Sequence, residues 1–295
     1  MKTMAVLATA LGLYACGWDN LPAEPMRAEI YQRVTNEFAQ ADFYKPAEPK
    51  TNDLASSLAP LILQEVKGGK EPLSRADRFG ALSLSNGVLV LDRSHPAIYW
   101  QADNVQLHGR AHTRLSYLWC YALAPASQYA GPTGLPLQGF RVTLNSTGQP
   151  VIWEVLADSS GAEVIYVSQS LEAAAAAEFG KSLPGRRCAI ERSPEEAPNA
   201  VVARIINDGP MVMGPIVYLS AGTRDITTLI CRCMPAQAKK LLDTSVYDLL
   251  LAETLDARSF LMQARALTRE RTAFWPGDKL AGDHLELPLR LPSSF

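Results

Sequence analysis

Cys231 and Cys233 form the one spacing in the sequence that suggests reactive chemistry. On a strand over residues 227–233, both thiols would project from the same face, because alternate side chains share a face. They could act as a redox pair, or as half of a thiolate metal site completed by Cys120, Cys188 or a histidine. Zinc and iron–sulfur sites use cysteines two or more residues apart in tight turns. We therefore expect core cysteines or structural disulfides, and no bound metal.

Arg232 lies between these two cysteines and would point to the opposite face of the same strand. A buried guanidinium without a partner is too costly to keep, so Arg232 must reach solvent or a carboxylate. This requirement predicts that both thiols face the core, where burial raises a thiol pKa and lowers its reactivity.

His108 and His112 have the spacing of a metal-binding pair on a helix. Gly109 and the surrounding strand pattern argue against a helix there, and the sequence lacks the glutamate that a zincin motif requires. On a strand the two rings would be roughly 13 Å apart, too far to share one metal. We expect ordinary polar histidines.

Asp225 could form a polar site near a strand end together with Arg224 and Arg232, although such groups more often form a surface ion pair. The sequence contains neither a Gly-x-Ser-x-Gly elbow nor a glycine-rich phosphate loop. No catalytic residue and no cofactor is therefore predicted. An enzyme whose site is assembled from scattered residues is kept as an alternative.

Residues 82–91 carry the clearest local structural signal. Asn86 and Gly87 separate two alternating apolar runs, a pattern typical of a hairpin with a two-residue turn. In that register Leu82 pairs with Leu91.

The remaining pattern places helices before and after a strand-rich middle. Helices are predicted over 26–42, part of 54–66, 171–179 after an N-cap at Ser170, 236–243, 246–255 and 257–271. Strands are predicted within 96–121 and over 140–144, 151–156, 164–167, 187–191, 201–206, 216–219, 227–233 and, as an edge strand, 285–291. This order predicts an α+β fold with a mostly antiparallel sheet built from hairpins and a meander.

Changes in composition along the chain suggest four regions. Residues 1–15 form a signal peptide, and 16–75 form a tether with an N-terminal helical segment. Residues 76–234 form the sheet-rich core, and 235–295 form a C-terminal helical segment with the edge strand.

The composition is that of an ordinary globular protein. The 295 residues are 47% hydrophobic and 20% charged, which allows a sizeable core. The net charge of −2 and the lack of a basic run give no indication of a nucleic-acid partner. The sequence contains no apolar stretch of the roughly 18 residues needed to span a bilayer.

The N-terminus indicates where the protein resides. Lys2 is followed by a ten-residue apolar run over 4–13, the length of a signal-peptide core. The run ends in Leu-Tyr-Ala-Cys at Leu13–Cys16, which resembles the lipobox of bacterial lipoproteins. That resemblance implies cleavage before Cys16, a diacylglycerol on its thiol and anchoring to a membrane. The alternatives are plain secretion, a membrane stub, or a hydrophobic first helix or strand packed into a cytosolic domain.

The resemblance leads us to expect a lipid-anchored protein of the bacterial cell envelope, on the periplasmic side or the cell surface. Its body would bind a protein or small-molecule partner or have a structural role. The alternatives are a secreted or envelope enzyme and a thiol or metal protein using Cys231 and Cys233. With Cys16 lipidated, the other four cysteines suggest two disulfides in an oxidising compartment, and three connectivities are open. In a cytosolic protein they would instead be small buried hydrophobic residues.

Overall fold

A mixed sheet of 13 strands forms the body of the protein. The computed structural model describes residues 23–48, 53–67, 78–85, 88–121, 137–156, 158–234, 236–252, 284–286 and 288–295. Strand accounts for 46% and helix for 14% of this part. The predicted α+β fold with a mostly antiparallel sheet is therefore wrong, and the fold is mostly β.

The elements have the following bounds. The strands are β1 (Ala41–Pro46), β2 (Leu61–Glu65), β3 (Phe79–Ser85), β4 (Val88–Asp92), β5 (Ala97–Leu107), β6 (Arg110–Tyr121), β7 (Leu137–Leu144), β8 (Pro150–Val155), β9 (Glu163–Ser168), β10 (Ala200–Ile206), β11 (Ile216–Leu219), β12 (Ile226–Ile230) and β13 (Leu241–Leu251). The helices are α1 (Ala23–Arg33), α2 (Leu54–Leu58) and α3 (Gln169–Phe179), with a 3₁₀ turn at His284–Glu286. Within the described residues, no helix is long and apolar enough to cross a membrane.

The sheet curls until its two edge strands nearly meet. Its order is β10-β9-β8-β7-β6-β5-β13-β1-β2-β11-β12, and β3 pairs with β4 and with the end of β6. Four neighbouring pairs of described strands run parallel, namely β9–β10, β5–β13, β1–β13 and β2–β11. Near the closure, the Tyr166 phenol on β9 donates to the Thr227 carbonyl on β12 over 3.3 Å. Helix α1 contacts both edge strands, β10 and β12.

Both faces of the central strands are covered by apolar side chains. On β6, Tyr117 and Trp119 belong to the largest buried cluster, whereas Leu118 and Cys120 pack into a second cluster on the opposite face. Burial on two faces explains the near-continuous apolar run at the end of β6, because neither face has to be polar.

The predicted helices at the C-terminal side are the main source of the wrong fold class. Residues 241–251 form β13, which pairs in parallel with β1 on one side and with β5 on the other. Leucine favours helices, but intrinsic propensity is a weak determinant of structure. Hydrogen bonding to two neighbouring strands outweighs it in this segment. The predicted helix over 257–271 lies outside the described residues.

The predicted N-terminal helices are too long. Helix α1 ends at Arg33, and the last two residues of the helix predicted over 26–42, Ala41 and Asp42, instead begin β1. Helix α2 ends before Ala59, whose ψ of 134° is extended, as expected for a residue that precedes a proline. The predicted strands over 187–191 and 285–291 reduce to one isolated bridge between Glu191 and Leu289.

The local predictions with strong turn signals are confirmed. Strands β3 and β4 pair in the expected register, with Leu82 opposite Leu91, while the turn residues themselves lie outside the described range. Strands β7, β8 and β9 form the meander. Helix α3 ends at Gly180 as expected, but its N-cap is Ser168, whose Oγ accepts from the Leu171 N–H over 3.2 Å. Ser170 instead contacts Asp208.

Candidate functional site

The two closely spaced cysteines are joined to each other. Strand β12 ends at Ile230, and a disulfide links Cys231 and Cys233 in the turn that follows, with 5.2 Å between their Cα atoms. Cys231 is buried and 8% exposed, whereas Cys233 is exposed. The prediction of a common buried strand face is therefore wrong for Cys233. The Met234 N–H donates to the Cys231 carbonyl over 3.0 Å, which shows that the chain has already turned.

The disulfide lies against the loop that precedes β11. A methyl group added to Gly209 would lie 3.3 Å from Cys231 Sγ, so this loop packs closely on the buried sulfur. Two large apolar side chains in the adjoining segments are exposed: Met211, two residues after Gly209, by 67% and Met234, directly after Cys233, by 40%. The Asn207 side-chain amide lies 3.9 Å from the Met234 sulfur.

The side chain of Arg232 points away from the disulfide toward helix α2. Its guanidinium donates to the Ala59 carbonyl rather than to a carboxylate or to solvent alone. Burial lowers the pKa of this guanidinium. A backbone carbonyl thus serves as the hydrogen-bond partner that the partly buried Arg232 guanidinium requires.

Cys120 and Cys188 are both free and buried, so the described residues contain one disulfide where two were expected. They belong to different hydrophobic clusters and cannot pair with each other. Burial raises the pKa of both thiols well above the usual range. They therefore behave as small apolar core residues.

The two histidines do not share a site. His108 lies exposed in the turn between β5 and β6 with φ of 48°, and its backbone N–H donates to Glu286 Oε1 over 2.6 Å. His112 is buried, with Nδ1 3.0 Å from the Leu144 carbonyl and its ring stacked 4.5 Å from that of Phe295. Among the residues that the structure describes, no group of three or more His, Cys, Asp or Glu side chains could hold a metal.

Asp225 belongs to a buried charge cluster that the sequence did not predict. Its Oδ2 lies 3.5 Å from the Arg33 guanidinium, and it accepts from the N–H and hydroxyl of Ser159 over 2.8 and 2.5 Å. Burial raises the pKa of Asp225, and the nearby charge of Asp158 raises it further. Arg224 lies elsewhere, over the Tyr121 ring. The cluster fastens the end of α1 to the loops before β9 and β12, on the two sides of the sheet closure, which is a structural role.

A polar cavity opens where β13 separates from β5. These two strands pair only from Asp248 and Ala97 onward, so space is left beside the preceding part of β13. The cavity measures about 220 Å³. Its lining combines two guanidinium groups, three hydroxyl-bearing side chains and three apolar residues: Arg78, Arg93, Tyr44, Ser94, Ser245, Phe79, Pro96 and Val246.

The donors of this cavity suit an anion. Arg78 Nε is buried without a hydrogen-bond partner, and Arg78 forms no ion pair within the described part of the chain. Burial raises the pKa of Tyr44 to about 12, so its phenol stays protonated at neutral pH. The neighbouring Asp42 has a raised pKa because it is buried and close to Asp243, and Arg78 opposes that rise.

Sequence reasoning missed this cavity because its residues come from separate segments. Tyr44 lies on β1, Arg78 precedes β3, Arg93 follows β4, and Ser245 lies on β13. No spacing along the chain links them. Comparison with known proteins does not add an assignment: no family model, no curated protein and no solved structure matches this chain.

Proposed function

We propose that this protein is a lipid-anchored component of the bacterial cell envelope whose β-rich body binds a small organic anion. The observation that carries the location is the ten-residue apolar run over 4–13, followed directly by Leu-Tyr-Ala-Cys at Leu13–Cys16. A lipid on Cys16 with two or more acyl chains is sufficient for stable attachment to a membrane.

The state of the cysteines supports this location. A disulfide between Cys231 and Cys233, with Cys233 at the surface, is the form expected in an oxidising compartment. In the cytosol, an exposed disulfide would be kept reduced by cellular thiols. Cys120 and Cys188 are compatible with either compartment because they are buried in the core.

The cavity beside β13 supports the binding role. Arg78 places a guanidinium group where a carboxylate or phosphate can accept charge-assisted hydrogen bonds, and Arg93 adds a second positive charge to the lining. The partly buried Arg78 gains more from such a bond than a fully solvated arginine would, because water screens the interaction less. Phe79 and Val246 offer an apolar wall to the remainder of the ligand.

The size of the cavity limits the ligand class. About 220 Å³ accommodates a small carboxylate or phosphate ester and is too small for a folded partner. The proposed ligand is therefore a small organic anion with an apolar part.

Membrane attachment is tested by fractionating cells that express the full chain. Cys16→Ser is expected to move the protein from the membrane to the soluble fraction. Cys233→Ser is the matched control, because it makes the same substitution at another cysteine and leaves the lipidation residue in place. Unchanged partitioning of Cys16→Ser would refute the anchor.

Anion binding is tested by calorimetry with benzoate, succinate, phenyl phosphate and inorganic phosphate. At least one organic anion is expected to bind, with Arg78→Gln weakening its affinity about tenfold or more, as for loss of a charged hydrogen bond. Lys181→Gln removes one positive charge from an exposed side chain and should leave the affinity unchanged. Benzamide, the neutral counterpart of benzoate, should not bind. Equal affinity for Arg78→Gln, or no binding by any of the four anions, would refute the cavity's role.

A further inference from the structure

We infer that the Cys231–Cys233 disulfide exchanges with thiols and oxidises the dithiol of a polypeptide in the same compartment. This inference rests on the turn after β12 and does not depend on the anion cavity. Its starting point is the unequal exposure of the two sulfur-bearing residues, since Cys231 is buried and Cys233 is exposed. An incoming thiolate therefore reaches Cys233 Sγ first.

The buried sulfur is arranged as the leaving group. The Cys233 backbone N–H points to Cys231 Sγ, with 3.3 Å between nitrogen and sulfur. This N–H can donate to the negative charge that develops on Cys231 Sγ as the S–S bond breaks. Attack at Cys233 and departure of Cys231 thus follow from the same turn.

The reaction balances with two thiols of one partner. The first partner thiolate attacks Cys233 Sγ, forming a mixed disulfide and releasing Cys231 as a thiolate, which takes a proton from water. The second partner thiolate attacks the partner sulfur of that mixed disulfide and releases Cys233. The partner dithiol loses two electrons and two protons and becomes a disulfide, and Cys231 and Cys233 are left as two thiols.

The surroundings of Cys233 indicate the kind of partner. Met234, directly after Cys233, and Met211, two residues after the glycine that packs on Cys231, both expose flexible apolar side chains. Methionine side chains adapt to varied apolar partners. An extended, thiol-bearing segment of polypeptide therefore fits this surface better than a small hydrophilic thiol.

The first test treats the native full chain in mild detergent with dithiothreitol, followed by alkylation and peptide mass analysis. Cys231 and Cys233 are expected to become labelled together, while Cys120 and Cys188 stay unlabelled because they are buried. Labelling of Cys120 and Cys188 at the same rate, or reduction only under unfolding conditions, would show a purely structural disulfide and overturn the inference.

The second test mixes the protein with a reduced peptide that carries two cysteines and apolar neighbours. Wild-type protein is expected to oxidise one equivalent of peptide, whereas Cys231→Ser and Cys233→Ser oxidise none. The thiol of Cys231→Ser should react about tenfold faster with a small aromatic disulfide than the thiol of Cys233→Ser, since only Cys233 is exposed. Met211→Gln with Met234→Gln should slow oxidation of the peptide but not reduction by dithiothreitol. A peptide that stays reduced in the presence of wild-type protein, or equal reactivity of the two single variants, would contradict the mechanism.

Discussion

The Arg33 guanidinium lies 2.5 Å from the Asp158 carboxylate, although 125 positions separate the two residues in the chain. The Asp158 side chain is fully buried, and Asp225 lies on the other side of the same guanidinium at 3.5 Å. Asp158 precedes β9, the neighbour of edge strand β10, and Asp225 precedes β12, the opposite edge strand, so one arginine at the end of α1 connects loops on the two sides of the sheet closure. The helix thereby holds the near-closed sheet in place.

Replacing Arg33 by alanine should destabilise the protein strongly. The change leaves Asp158 buried without its cation, which costs about 3–5 kcal/mol of unfolding free energy. Lys239→Ala is the matched control, because its pair with Glu37 spans 3.6 Å between two exposed side chains. Loss of that pair should cost less than about 1 kcal/mol. Urea unfolding of both variants tests this, and similar losses would show that the Arg33 cluster does not hold the fold.

Gly214 marks a close approach between the segment before β11 and helix α2. A methyl group at this position would lie 2.2 Å from the Leu58 carbonyl oxygen, so the backbones must separate to admit it. Gly214→Ala should therefore lower the unfolding free energy by about 2 kcal/mol or more.

Gly222 provides the comparison for this substitution. It has φ of 86°, but a methyl group there would meet nothing within 4 Å. Gly222→Ala should cost about 1 kcal/mol from backbone strain alone. Thermal unfolding of the two variants distinguishes contact from strain, and an equal or larger effect at Gly222 would refute the close-approach interpretation.

Glu163 should make stability depend on pH between about 4.5 and about 7. Burial raises the pKa of this carboxyl from 4.5 to about 7, and the charge of Glu154 adds to the rise. The native state therefore binds the proton more tightly than the unfolded state, and native stability decreases as the pH rises through this window. The free energy of unfolding of Glu163→Gln should exceed that of wild type by on the order of 2 kcal/mol at pH 8 and by little at pH 4.

Urea unfolding of both proteins at several pH values measures this difference. Glu29→Gln, at an exposed helical position, is the control, and its unfolding free energy should show the same pH dependence as that of wild type. A stability difference between Glu163→Gln and wild type that does not change with pH would contradict the assignment.

Local signals in the sequence predicted local structure well. The pairing of Leu82 with Leu91 and the meander of β7, β8 and β9 both depend on turns between adjacent segments, which the alternating pattern and turn residues identify. The end of α3 at Gly180 was equally readable, because glycine at that position is a standard helix stop.

Long-range pairings account for most of what the sequence did not predict. The segment 241–251 becomes a strand only because β1 and β5 flank it, and both are distant in the chain. The cluster of Arg33, Asp158 and Asp225 arises where the two sides of the curled sheet approach each other. The cavity that contains Arg78 arises where β13 lies between β1 and β5. The prediction that Cys233 is buried is wrong because it assumes a strand that continues to residue 233. Strand β12 ends at Ile230, and the chain then turns.

The mass of the intact protein isolated from the membrane fraction tests the proposed location most directly. We expect a chain that begins at Cys16, lacks residues 1–15 and carries the added mass of a diacylglycerol, with a further acyl chain where the N-terminus is acylated. The same measurement on Cys16→Ser should show no lipid. A wild-type chain that retains Met1, or that begins elsewhere with an unmodified Cys16, would contradict the account.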